Sequence, residues 1–112
     1  MNWLPLESLD TLDQIIKDSS NPDNTAIAIF KHSTRCPVSF SAKSRLSNTW
    51  NFGEELPIYH LDLIEYREIS DKIATQFNIT HQSPQILVIK NGECIYNASH
   101  ISISTKEIDK II

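Results

Sequence analysis

A chain of 112 residues with ten lysines and arginines against fourteen aspartates and glutamates has a formal charge of -4. That balance, with no basic run anywhere, argues against a nucleic-acid surface, and no apolar stretch approaches membrane-spanning length. The length suits one domain with a modest core, residues 1–112. Met1-Asn2-Trp3-Leu4-Pro5 lacks the basic and apolar segments of a secretory signal. Two cysteines far apart make no disulfide scaffold, so a cytoplasmic, reducing compartment is expected.

Trp3-Leu4-Pro5 reads as a short edge strand or a cover for the core. From Leu6 to Lys17, Leu9, Leu12, Ile15 and Ile16 recur with one-faced helical spacing, and Ser8 can cap the start. The polar stretch Asp18–Asn24 stops that helix. Thr25–Lys31 is a short apolar run rich in β-branched residues, the signature of a buried strand.

A polar turn, His32-Ser33-Thr34-Arg35, leads to Cys36-Pro37-Val38-Ser39. Pro37 has a fixed φ and no N–H to satisfy, so it suits the first helical position. Cys36 is then the N-cap, where unpaired N–H groups and the helix dipole favour a thiolate. Arg35 and His32 can add positive charge, and the Ser39 hydroxyl, one turn along, can donate to the sulfur. The spacing is that of a C-x-x-C redox motif with serine in the second place. Such a site can attack a disulfide, but an outside thiol must release it.

Val38, Ala42, Leu46 and Trp50 recur every fourth residue, predicting the buried stripe of the cysteine helix, with Lys43 and Arg45 in solvent. Asn51-Phe52-Gly53 ends it, with Gly53 expected in the left-handed region. Ile58–Leu63 reads as a second strand, and Tyr66, Ile69, Ile73 and Phe77 mark a third helix. Gln85–Lys90 and Glu93–Ala98 form a hairpin about Asn91-Gly92, a type I′ turn signal. Ser104 to Glu107 is a capping box, followed by Ile108, Ile111 and Ile112. A parallel strand-helix-strand unit, an antiparallel hairpin and a closing helix make the α/β thioredoxin-like layout, a mixed sheet with helices on both faces.

In that layout Ser83-Pro84, just before the third main strand, faces the start of the cysteine helix. A cis bond there would offer the Ser83 backbone to a peptide as an added strand; the plainer reading is a proline that opens a strand. His81 and His32 can stand at the mouth of this site, while His60 reads as half-buried and His100 as a hairpin-end residue. The four histidines have no metal-ligand spacing, so no metal is expected. Cys94 alternates with Tyr96 and Ala98, which predicts one shared face and a packed, inert thiol.

His32 to Ser39, His81-Gln82-Ser83-Pro84-Gln85 and Ala98-Ser99-His100 with Ser102 to Thr105 resemble the YtxJ family. These are small thioredoxin-like proteins of low-GC Gram-positive bacteria, also described as monothiol bacilliredoxins. The resemblance implies removal of bacillithiol, a small cysteine-containing thiol, from proteins that carry it as a mixed disulfide. It makes Cys36 the attacking thiol and Pro84 the cis-proline beside it, with S-bacillithiolated clients as partners and bacillithiol as co-substrate rather than a bound cofactor. Family members carry Ile at the position of Val38 and an aromatic at that of Ile101. A binding or redox-sensing module, modified at Cys36 without turnover, is the alternative. Glutathione-dependent monothiol chemistry is a third reading, for which the expected glycines and basic residues are missing.

Overall fold

The computed structural model describes residues 1–112. In chain order the elements are β1 (Trp3–Pro5), α1 (Leu9–Asp18), β2 (Ile27–His32), α2 (Pro37–Thr49), β3 (Ile58–Asp62), α3 (Arg67–Phe77), β4 (Gln85–Lys90), β5 (Glu93–Ser99), a 3-10 turn (His100–Ser102) and α4 (Thr105–Ile111). The strands form one five-stranded sheet in the order β1-β3-β2-β4-β5. β3 runs parallel to β1 and β2, whereas β4 runs antiparallel to β2 and β5. This is the thioredoxin-like α/β architecture.

β2 is buried along its whole length. Alternation along it sorts the core into two halves. Ala28 and Phe30 pack with Ala42 and Leu46 of α2 and Ile108 of α4. Ile27 and Ile29 pack with Leu12 and Ile15 of α1 and Ile69 and Ile73 of α3. Each fully buried aliphatic or phenyl side chain contributes about 1.5–3 kcal/mol, so the central strand is the most firmly held backbone.

Several local expectations change. Helix α1 starts at Leu9, behind the Ser8 cap that accepts from the Thr11 amide, and Leu9 itself is exposed. In α2 the buried residues are Ser39, Ala42 and Leu46, and Val38 is 41% exposed. A strict four-residue spacing advances about 40° per step on a helix of 3.6 residues per turn, so Val38 rotates off the face that holds Leu46. Arg45 and Lys43 are half-buried: Arg45 Nη2 donates to the His100 carbonyl at 3.0 Å, and Lys43 Nζ lies 5.6 Å from the Trp3 ring centre. Helix α2 stops at Thr49 with Trp50 extended, and the only glycine with positive φ is Gly92. Gly53 therefore needs no left-handed conformation; its amide donates to Glu55.

At the hairpin, Asn91 and Gly92 have φ of 52° and 76°, both positive as a type I′ turn requires. Beyond it Val88 pairs with Tyr96, but Ile89 pairs with Cys94, so Ile95 is an extra residue in β5. This bulge reverses the alternation. Cys94 packs with the α1/α3 half of the core, while Tyr96 and Ala98 pack with the α2/α4 half. Ser104 is the N-cap of α4 by position but makes no side-chain cap bond.

Candidate functional site around Cys36

The site lies where β2 ends and β4 begins. Lys31 pairs with Gln85, so Pro84, one residue earlier, sits beside the turn that carries β2 into α2. In that turn the Cys36 amide donates to the Ser33 carbonyl at 3.2 Å, and the Arg35 amide lies 3.3 Å from Ser33 Oγ. Cys36 is the N-cap of α2, with φ -117° and ψ 114°, and Pro37 occupies the first helical position. Its carbonyl accepts from the Ser39 and Phe40 amides, while the Val38 N–H has no acceptor in the protein. A free donor and the positive helix end thus stand beside a partly exposed thiol. Arg35 is exposed and makes no ion pair.

Two expectations about Cys36's neighbours are corrected. Ser39 is wholly buried, and its hydroxyl is committed away from the sulfur. Ser39 Oγ accepts from the Ser33 amide at 3.0 Å and lies 2.7 Å from His32 Nδ1. His32 is not in the loop; it is the last residue of β2, 2% exposed, with its ring 4.7 Å edge-on to Phe40. Burial first, then the Lys43 ammonium, push its pKa down. The ring is therefore neutral near pH 7 and supplies no positive charge to the sulfur. The Ser39 hydroxyl donates to Nδ1, because its proton has no other acceptor. Serine thus fixes the first turn of α2 onto the sheet.

His60 lies next in this buried row, 5.1 Å from the His32 ring and 5.8 Å from Trp3. Its Nε2 is buried without a partner, and burial, Lys43 and His32 lower its pKa to about 4.

On the other side of the turn the Ser83–Pro84 peptide is cis. Pro84 is buried, and Ser83 Oγ is buried with no hydrogen-bond partner. His100 takes a left-handed φ of 54°, and its amide donates to the Pro84 carbonyl at 3.1 Å. The 3-10 turn is thereby tied to the cis-proline loop, with Ile101 86% exposed beside it. Val38 and Phe40, in the first turn of α2, and Ile101 are exposed apolar side chains. A hollow of about 700 Å³ between α2 and α4 includes Arg45, Ile101 and Lys106 but not Cys36, Ser83 or Pro84.

His81 is turned inward rather than standing free at the mouth. Its Nδ1 lies 3.2 Å from Lys31 Nζ and 3.3 Å from Ser70 Oγ. Lys31 escaped the sequence reading, although its place two residues after Ile29 puts it on the α1/α3 face by strand alternation. Cys94 occupies the far end of the sheet: it pairs with Ile89, which pairs with Ile27. The four steps from Ile27 to Lys31 already span about 13 Å, against the roughly 7 Å between Cα atoms that a disulfide tolerates. Burial raises the Cys94 pKa, and its Sγ lies 3.2 Å from the Tyr96 carbonyl.

The family model described as monothiol bacilliredoxin BrxC matches residues 4–108. The chain belongs to the monothiol bacilliredoxin family. A solved structure described as a candidate oxidoreductase with a thioredoxin fold superposes on this bacilliredoxin-family chain with a TM-score of 0.81 at 30% identity, covering 96% of this chain and 91% of the other. Oxidised thioredoxin from Plasmodium falciparum gives a TM-score of 0.74 at 16% identity, covering 97% of each chain. Thioredoxin from Fasciola hepatica gives 0.72 at 17%, covering 96% and 95%. Those two likenesses carry the fold alone. A thiol redox role follows from the family. No helix is long and apolar enough to cross a membrane, and no three His, Cys, Asp or Glu side chains converge as metal ligands.

Proposed function

We propose that this protein removes bacillithiol from S-bacillithiolated proteins through a mixed disulfide on Cys36. The Cys36 thiolate attacks the bacillithiol sulfur of the client's mixed disulfide. The bond between client and bacillithiol breaks, the client leaves as a thiolate that takes a proton from water, and Cys36 retains bacillithiol. A second bacillithiol thiolate then attacks that adduct, which returns Cys36 as thiolate and releases oxidised bacillithiol. The observation that carries this reading is the position of Cys36 at the opening of α2 with a serine, bonded to His32, where a resolving thiol would stand. The distance of Cys94 supports release by an outside thiol.

Pro37 starts the helix that Cys36 caps, and Arg35, its neighbour in the chain, is an exposed cation. The cis Ser83–Pro84 segment receives the client backbone beside the sulfur, as a sheet edge receives a strand. His32 and Ser39 hold the first turn of α2, and His81 holds the proline loop. The protein acts in the cytoplasm, where bacillithiol is both leaving adduct and reductant, and needs no bound cofactor. The test is turnover of a bacillithiolated client with excess bacillithiol. Many equivalents of client reduced per protein, abolished by Cys36→Ser, are expected. A single equivalent followed by a stable adduct would mean a redox-sensing module instead.

A further inference from the structure

Lys31 is wholly buried in the middle of a hydrophobic sheet, yet no carboxylate lies within ion-pair distance of it. Removing an ammonium from water costs several kcal/mol, and an apolar side chain of the same length would avoid that cost. The ammonium is spent on two bonds. Lys31 Nζ donates to the Ser70 carbonyl of α3 at 3.1 Å and to His81 Nδ1 at 3.2 Å. A lysine ammonium can only donate, so His81 Nδ1 must accept and its ring must be neutral, with its proton on Nε2. Burial and then the Lys31 charge lower the His81 pKa, which agrees with that assignment.

The second anchor is Gln85, also buried and directly opposite Lys31 on β4. Its Nε2 donates to the Thr80 carbonyl at 3.1 Å, and the Gln82 amide lies 3.4 Å from its Oε1. Lys31 and Gln85 therefore grip Thr80, His81 and Gln82 from beneath, and the next two residues are Ser83 and Pro84. From α3, Ser70 Oγ also lies 3.3 Å from His81 Nδ1, so the lysine and the serine share that acceptor.

We infer that Lys31, acting through His81, is a positioning residue that holds the Ser83–Pro84 segment where a client backbone must dock. It rests on the function proposed above and names the device that presents the docking edge. Lys31 touches neither the sulfur nor the client, so it governs reaction with a bound protein and not the chemistry of the free thiol. The latch is also pH-sensitive. The charged groups acting on His81 are Lys31 from β2 and Arg67 and Asp71 from α3. Protonating His81 would place an N–H against the Lys31 ammonium and beside Arg67, with only Asp71 opposing, so the latch opens as pH falls below the ordinary histidine range.

The experiment compares Lys31→Met with wild type in two reactions: transfer of bacillithiol from a client protein, and alkylation of Cys36 by iodoacetamide. Transfer is expected to fall about tenfold while alkylation and its pH profile stay unchanged. His81→Asn keeps an acceptor for Lys31 without a titratable ring. Whatever its absolute rate, the ratio of its transfer to its Cys36 alkylation should lose the fall below pH 6.5 that the wild type shows. Amide hydrogen exchange at Gln82 and Ser83 should be faster in Lys31→Met, and in His81→Leu should that lysine variant not fold. Unchanged transfer and exchange in these variants would overturn the inference, as would an equal loss in alkylation. Absence of transfer in wild type would refute the proposed function instead, and exchange at Gln82 and Ser83 would still decide the latch.

Discussion

Replacing His60 with phenylalanine should remove a distinct part of the acid-induced loss of stability. In the folded chain His60 stands among Trp3, Phe30 and His32 with its Nε2 unpartnered, and its pKa falls from the ordinary 6.5 to about 4. The unfolded chain therefore binds the proton more readily. The group's contribution is fully present above pH 6.5, declines as pH falls towards 4, and changes no further below that. A shift of this size corresponds to about 3 kcal/mol at 1.36 kcal/mol per pH unit, reduced to roughly 2 kcal/mol because the ring is only half-buried. Urea unfolding at pH 7.5 and 4.5 reads it directly. With a slope of about 1–3 kcal/mol/M, the wild-type midpoint should drop by roughly 0.7–2 M more than that of His60→Phe. Parallel declines in both proteins would refute the assignment of a buried, neutral His60.

Ser39→Cys would restore a second thiol three residues after Cys36. A bacillithiol adduct on Cys36 should then be released without added thiol, and mass spectrometry should find an intramolecular disulfide in its place; a persistent adduct would contradict the role given to Ser39. Cys94→Ala should lower stability by about 1 kcal/mol through lost packing and leave client turnover unchanged, whereas lost turnover would make Cys94 a participant. The Lys31 pKa is lowered from 10.5 to about 8, chiefly by burial. Folding stability should therefore rise as pH climbs from about 8 to 10.5, and denaturant titrations of Lys31→Met should lack that rise.

The architecture was legible because its signals are local and agree with one another. An apolar β-branched run, Pro37 after a cysteine, Asn91-Gly92 between two strands and Ser8 before α1 each specify one backbone choice. Errors arose where a side chain's direction depends on partners distant in sequence. Ser39 looked free to serve the sulfur because its competitors, His32 Nδ1 and the Ser33 amide, become neighbours only when α2 folds back onto β2. Strict alternation puts Cys94 on the face of Tyr96 and Ala98, and the one-residue bulge at Ile95 that turns it to the other face leaves no compositional trace. Lys31 could have been flagged by parity with Ile27 and Ile29, but its bonds to Ser70 and His81 join residues 39 and 50 positions apart. The thiol and the proline were visible in sequence, and the buried polar network behind them was not.

The central claim is that Cys36 alone receives the small thiol from a modified protein. Its most direct measurement is intact-protein mass spectrometry of a single-turnover mixture of this protein with a bacillithiolated client and no free thiol. One bacillithiol gained at Cys36 for each client returned to its free thiol, with no transfer to Cys36→Ser, is the predicted result. A client that keeps its adduct, or an adduct found on Cys94, would contradict the account.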